Sequence, residues 1–139
     1  FKDIKKVDLY PDSLDLDKPL TYIRLGIHLK LLQEMVQQKL ESIKTTKIAG
    51  YGASVAPVSM MYQYQIVNYL EFLVDDNNEK IDLFCPAANL RVRNPDSLYV
   101  NNVDVLVVLA SRFSSEIIQR HPQFTGKVLI PTLGWSCSR

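Results

Sequence analysis

Residues 103–110 read VDVLVVLA, and this stretch decides the predicted fold. Its side chains are apolar at nearly every position, so a strand formed here has no polar face. Such a strand suits the centre of a parallel sheet, because helices cover both faces of that kind of sheet. The stretch therefore predicts a three-layer α/β domain.

Short apolar stretches and helical stretches alternate on either side of this strand. The other predicted strands are residues 47–51, 70–74, 90–92 and 127–131, and helices are predicted over residues 54–68, just after 94–95, and over 114–121. This alternation is typical of a doubly wound, Rossmann-like parallel sheet of about five strands. Right-handed crossovers would place the strand of residues 47–51 centrally, in an order such as 3-2-1-4-5.

A long amphipathic helix is predicted before the sheet, over residues 19–44. Its apolar residues recur at three- to four-residue steps, at Leu20, Ile23, Ile27, Leu31, Met35 and Ile43. This stripe is wider than a heptad seam, which favours packing on its own domain or on a partner domain over a coiled coil. We predict a lead-in or linker over residues 1–18 and one domain over residues 19–139.

Length and composition exclude several classes of function. The 139 residues fit one domain and carry a formal net charge of +1 without a long run of like charge, which argues against a nucleic-acid partner. No apolar run approaches the roughly 18 to 20 residues that span a bilayer. Cys85 and Cys137 are far apart and His28 and His121 lack ligand spacing, so we expect no metal, reduced thiols and a cytoplasmic location. Because the chain begins with Phe1, we expect a fragment of a longer protein.

The turn after the first strand lies in KIAGYGASVAP, residues 47–57, and is similar to a dinucleotide-binding turn. Gly50 and Gly52 match the first two glycines, which permit a tight turn and close approach of a phosphate. Ala53 and Ser54 keep the turn small, and the Ser54 hydroxyl could cap the next helix or meet an anion. Val55 occupies the third small position and departs from the pattern. The spacing leaves open whether this turn holds a phosphate or only serves the fold.

Two acidic residues end the second predicted strand. Asp75 and Asp76 follow the glycines by a little over twenty residues, near where an acidic residue binds the ribose of a nucleotide. Their carboxylates could accept a sugar hydroxyl across a crevice from the turn. The alternative is that they only cap a loop.

Three segments, GYGASVAP, LEFLVDDNNEK and VDVLVVLASRFSSEII, follow one another in an order that resembles a known family. The chain resembles the C-terminal domain of S-adenosylmethionine-dependent sugar C-methyltransferases over roughly residues 20–135. The resemblance implies an accessory domain that binds or closes over a nucleotide-linked sugar. It also implies a preceding methyltransferase domain of the same chain that uses S-adenosylmethionine, with no cofactor on this domain.

The sequence departs from the family pattern in three places. Residues 56–58 are Ala-Pro-Val where the family commonly has Lys-Gly-Asn, residues 86–87 are Pro-Ala instead of Pro-Gly, and residues 111–112 are Ser-Arg near the usual Trp-Asn. No lysine therefore stands at the turn to neutralise a diphosphate. The substrate-binding residues that we predict are Gly50, Tyr51, Gly52, Ala53, Ser54, Asp75, Asp76, Ser111 and Arg112.

Other interpretations remain open at this point. We find no nucleophile elbow, HExxH or P-loop, so we predict no catalytic residue and no methyl transfer by this chain alone. GYGAS and VDDN also resemble the nucleotide-sugar-binding domains of sugar acyltransferases. A third possibility is an interaction module that docks through the helix beginning at Pro19. A sugar binder should have an open crevice beside Asp75. An interaction module should instead have the crevice filled by side chains such as Met60 or Tyr51, and its helix beginning at Pro19 should be exposed.

Overall fold

The structure is a computed structural model that describes residues 15–43, 46–86 and 88–131. The chain divides into two compact units, Phe1–Leu31 and Leu32–Arg139. Most of the predicted lead-in, residues 1–14, lies outside the described residues, as do Lys44, Ala87 and Cys137.

The described part of the first unit is a turn followed by the beginning of helix α1 (Pro19–Ser42). The backbone carbonyl of Asp15 accepts a hydrogen bond from the Thr21 hydroxyl at 2.8 Å, and the Asp15 carboxylate pairs with Lys18 at 2.7 Å. These contacts satisfy polar groups where the helix begins. The apolar side chains of Ile23 and Ile27 are each 57% exposed.

The second unit contains a five-stranded sheet whose strands are all parallel. The strands are β1 (Ile48–Tyr51), β2 (Phe72–Val74), β3 (Val92–Arg93), β4 (Val105–Val108) and β5 (Lys127–Leu129). Their order is β3-β2-β1-β4-β5, with β4 beside β1. The predicted Rossmann-like fold, the central place of β1 and the 3-2-1-4-5 order are confirmed.

Both faces of the sheet are buried, as the apolar run of residues 103–110 predicts. Val105 and Val107 of β4 belong to one buried cluster, and Leu106 and Val108 belong to another. Because alternate residues of a strand point to opposite faces, the two clusters lie on opposite sides of the sheet. The polar groups of a ligand site must therefore lie at the ends of the strands.

Each cluster is completed by two helices. The second half of α1 and helix α2 (Val55–Gln63) contribute Leu40 and Met61 to the cluster that contains Val105. Helices α3 (Ser97–Val100) and α4 (Ser114–Arg120) contribute Leu98 and Ile117 to the other. Because the strands are parallel, the segments that leave β1, β2 and β4 toward their crossover connections all begin at the same edge of the sheet, where the strands have their carboxyl ends.

Several elements are shorter than their apolar patterns predict. Helix α2 ends at Gln63 instead of residue 68, because Gln65 has a φ of 53° in the left-handed region. A 3-10 turn, Val67–Tyr69, follows, and β2 begins at Phe72 instead of the predicted residue 70. Helix α4 begins at Ser114, as predicted, and Phe113 holds its cap position.

Candidate functional site

The turn after β1 strongly favours glycine at position 52. Gly52 has a φ of 109°, which L side chains rarely adopt, and an added Cβ would lie 3.1 Å from both Ala110 Cβ and Pro57 Cγ. At Gly50 an added Cβ would lie 2.6 Å from Leu73 Cδ2, so this glycine allows close packing. Val55 is 84% exposed and does not crowd the turn.

The Asp75 carboxylate joins this turn to the end of β2. It accepts the backbone N–H of Ala53 at 2.7 Å and that of Asn77 at 2.9 Å, and it pairs with Lys80 at 2.9 Å. Burial alone would raise the pKa of Asp75, but these hydrogen bonds and the lysine charge outweigh it and lower the pKa below its ordinary value. Asp75 is therefore an ionised carboxylate held by three partners.

The neighbouring N–H of the turn is also used within the protein. Gly52 donates its N–H to the Val74 carbonyl at 2.8 Å. Together with Ala53, this accounts for two backbone donors that a phosphate-binding turn would present to its ligand. Ser54 holds the cap position of α2, but its hydroxyl makes no capping hydrogen bond.

A chain of hydrogen bonds runs from helix α3 to Asp76. The Tyr51 hydroxyl donates a hydrogen bond to Asp76 Oδ1 at 2.8 Å. The oxygen of this Tyr51 hydroxyl also lies 3.1 Å from His121 Nε2. Tyr99 Oη lies 2.8 Å from His121 Nδ1. Since the Tyr51 proton is on the Asp76 side, Nε2 carries the imidazole proton and Nδ1 accepts from Tyr99. Arg120 completes the chain with an ion pair to Asp76 Oδ2 at 2.9 Å.

Burial is the main influence on the pKa values of His121 and Tyr51 in this hydrogen-bonded network. It lowers the pKa of His121 below its ordinary value of 6.5, so the imidazole is neutral at pH 7. Burial and the hydrogen bond to Asp76 raise the pKa of Tyr51, which keeps its phenol protonated. Tyr51 and His121 are thus neutral hydrogen-bonding groups at pH 7.

A crevice of about 260 Å³ lies at the carboxyl edge of the sheet, beside Tyr51 and Asp76. Five predicted site residues line it, namely Tyr51, Gly52, Ser54, Asp75 and Asp76. No sequence motif marks the other lining residues, which are Lys80, Ala110, Phe113, Glu116, Ile117 and Arg120. The crevice thus combines carboxylates, two cations and the aromatic rings of Tyr51 and Phe113. Among the described residues, no group of His, Cys, Asp and Glu side chains could hold a metal ion.

Comparison with protein families gives a match over almost the whole chain. The profile of the family described as "C-methyltransferase C-terminal domain" matches residues 4–131. The chain belongs to this family. Membership confirms the resemblance seen in the sequence, and a C-terminal domain of this kind implies a methyltransferase domain as its partner.

Other comparisons with this C-methyltransferase C-terminal domain are more distant. No curated protein matches its sequence. Among solved structures, it is similar to the crystal structure of UDP-D-quinovosamine 4-dehydrogenase from Vibrio fischeri, with 14% sequence identity and a TM-score of 0.43. That alignment covers 60% of this chain and 75% of the other.

The remaining predicted site residues of the C-methyltransferase C-terminal domain have other positions. Gly50 lies within β1, where it packs on Leu73, and Ala53 contributes its N–H to Asp75. Ser111 and Arg112 begin a 3-10 turn whose last residue, Phe113, lines the crevice. Neither Ser111 nor Arg112 is among the residues that line the crevice.

Lys80, Arg120 and His121 could not be selected by spacing to a motif. Arg120 reaches Asp76 across 44 residues of chain, and His121 reaches Tyr51 across 70. The sequence signal that was available is weaker: Arg120 and His121 are the last two residues of the helix predicted over residues 114–121, which follows the strand of residues 103–110. None of the described helices is long and apolar enough to cross a membrane.

Proposed function

We propose that this domain binds a nucleotide-linked sugar in the crevice and presents it to a preceding methyltransferase domain of the same chain. The observation that carries the proposal is the open crevice between the segments that follow β1, β2 and β4. Successive strands are added on one side of β1 up to β3 and on its other side from β4 onward. Ligands of open α/β sheets bind at the carboxyl ends of the strands where the strand order changes direction in this way.

The groups around the crevice suit the parts of such a ligand. Asp76 is 47% exposed at its side chain, so a carboxylate oxygen is accessible to a sugar hydroxyl. Phe113 is 58% exposed and offers an apolar face to a base or a sugar ring. Ser54 supplies a hydroxyl beside them. We assign these groups to binding of the ligand and none of them to catalysis.

Methyl transfer and S-adenosylmethionine are therefore proposed to belong to the partner domain. In this division, the present domain holds and orients the acceptor, and orientation lowers the barrier by fixing the reacting groups together. We also propose a cytoplasmic location. The Cys85 thiol is free and buried, and the cytoplasm keeps cysteine thiols reduced.

A titration followed by NMR tests the binding proposal. The 139-residue chain is titrated to millimolar concentrations with thymidine-diphosphate glucose and with UDP-glucose, and free glucose serves as the control ligand. We expect saturable shifts of the Gly52, Asp75 and Asp76 amides with at least one nucleotide sugar. The Asp104 and Gly126 amides, which lie by a separate cavity lined by residues before β4 and β5, should not move. Absence of shifts at the crevice with both nucleotide sugars would count against the proposal.

A docking role for α1 is a second candidate and is compatible with the first. Leu20, Ile23, Ile27 and Leu31 are each more than half exposed, which is unusual for side chains this apolar. The methyltransferase domain is the proposed occupant, because the family implies that domain as a partner. Hydrogen exchange of residues 19–31 should slow when that domain is joined to the chain, whereas exchange at the buried residues Val36 and Leu40 should not change. Equal exchange in both proteins would contradict this role.

The resemblance to sugar acyltransferase domains predicts the same crevice ligand but a different partner. Family membership favours the methyltransferase partner. The crevice is not filled by Met60, and Tyr51 borders it without closing it, so a purely structural interaction module fits less well.

A further inference from the structure

The crevice offers two cations to a diphosphate, Lys80 and Arg120, and each is paired with one of the strand-end aspartates. These two side chains are the cations that line the crevice, whereas the Gly52 and Ala53 N–H groups of the turn are bonded within the protein. The two ion pairs differ in how readily they can exchange a partner.

Lys80 is committed to the fold. Its Nζ lies 2.9 Å from Asp75, and the two side chains are only 31% and 12% exposed. Drawing Lys80 away would leave a nearly buried carboxylate without its cation, and this is strongly unfavourable. Lys80 therefore stays with Asp75 when a ligand binds.

Arg120 is free to exchange. Its pair with Asp76 is open to solvent, with side chains 62% and 47% exposed, and pairs of this kind contribute little to stability. If Arg120 leaves, Asp76 keeps the hydrogen bond from the Tyr51 hydroxyl at 2.8 Å. A guanidinium also matches phosphate oxygens with two parallel N–H groups.

We propose that Arg120 exchanges its ion pair with Asp76 for the phosphate groups of the bound nucleotide-linked sugar. This inference rests on the proposed function and assigns phosphate recognition to the end of α4 instead of the glycine turn. The released Asp76 carboxylate, still oriented by Tyr51, becomes the acceptor for a hydroxyl of the same ligand. Arg120 and Asp76 thus pair with each other in the empty crevice, and each contacts the ligand in the occupied one.

The test compares pyrophosphate binding by the wild-type chain and three variants, using calorimetry and NMR. Arg120→Gln should weaken pyrophosphate binding roughly ten- to a hundred-fold, because charge-assisted hydrogen bonds are lost. Asp76→Asn should strengthen it, because the competing carboxylate is neutralised. Arg91→Gln, which breaks the exposed pair with Asp82, is the matched control and should bind as the wild type does.

The two crevice variants remove the same ion pair, so a merely structural role would change pyrophosphate binding in the same direction in both. Equal binding by the wild type and Arg120→Gln, or weaker binding by both crevice variants, would overturn the inference. Titration with UDP-glucose and thymidine-diphosphate glucose separates this result from the proposed function. If a nucleotide sugar binds the wild type and Arg120→Gln equally, the proposed function stands and the inference fails. If neither nucleotide sugar binds while pyrophosphate binding depends on Arg120, the anion site stands and the sugar assignment fails.

Discussion

The carboxylate of Asp75 accepts the backbone N–H of Ala53 at 2.7 Å, in the turn where related folds often place a phosphate. The protein thus supplies its own anion to a turn that is similar to a phosphate-binding loop. This contact separates the two uses of the glycine pattern, because it ties the turn to β2 whether or not a ligand is present.

The first prediction concerns this contact. Asp75→Asn should lower the free energy of unfolding by about 1–3 kcal/mol, because the Lys80 charge and two backbone N–H groups lose their ionised acceptor. Urea denaturation at pH 7 measures the change. Asp82→Asn, in the exposed pair with Arg91, is the control and should cost no more than about 1 kcal/mol. Equal losses in the two variants would refute a structural role for Asp75.

The second prediction concerns pH. The pKa of His121 is lowered in the folded protein, so the unfolded chain binds more protons once the pH falls toward the ordinary value of 6.5. The free energy of unfolding should therefore fall as the pH is lowered from about 7 to 5. His121→Gln should reduce this slope, and His28→Gln, outside the network of Tyr51 and Tyr99, should keep it. A slope in His121→Gln as steep as in the wild type would contradict the assignment.

The third prediction concerns the backbone of the turn. Gly52→Ala should lower the free energy of unfolding by about 1–3 kcal/mol, since alanine is strained at a φ of 109° and its Cβ meets Ala110 and Pro57. Thermal and urea unfolding measure the loss. Gly26→Ala is the control, because nothing lies within 4 Å of the added Cβ within helix α1. It should leave stability unchanged or raise it by up to about 1 kcal/mol.

A fourth prediction compares a buried and an exposed leucine of helix α1. Leu40 is fully buried, and Leu40→Ala should cost about 2–5 kcal/mol through lost burial and the cavity left behind. Leu31 is 53% exposed, and Leu31→Ala should change the free energy of unfolding by no more than about 0.5 kcal/mol. Comparable losses from both substitutions would show that the exposed stretch contributes to the core after all.

The sheet could be predicted from sequence because its signals are local. The run of residues 103–110 is apolar on both faces, and alternation with helices leaves few strand orders that keep right-handed crossovers. Element ends were less predictable, since a single left-handed residue such as Gln65 ends a helix whose apolar pattern continues.

The candidate site could be predicted only in part. Asp75 and Asp76 were found because they follow a strand directly, a position that the sequence marks. Arg120 and His121 were missed because their places depend on how α4 packs on the sheet, which no local pattern encodes. The opposite roles of the two aspartates were hidden for the same reason, because one is held by Lys80 and the other by Arg120.

The position of β1 between β2 and β4 also has a consequence for synthesis on the ribosome. The backbone N–H of Lys47, just before β1, is bonded to Asp104, 57 residues further along the chain. Because ribosomes add about 5–20 residues per second, the edge of β1 that pairs with β4 stays unpaired for roughly 3–11 s while the intervening residues are synthesised. During that time an apolar strand edge is available to other chains. Nascent chains that stall before residue 103 should therefore aggregate, whereas those that stall after β5 emerges should not.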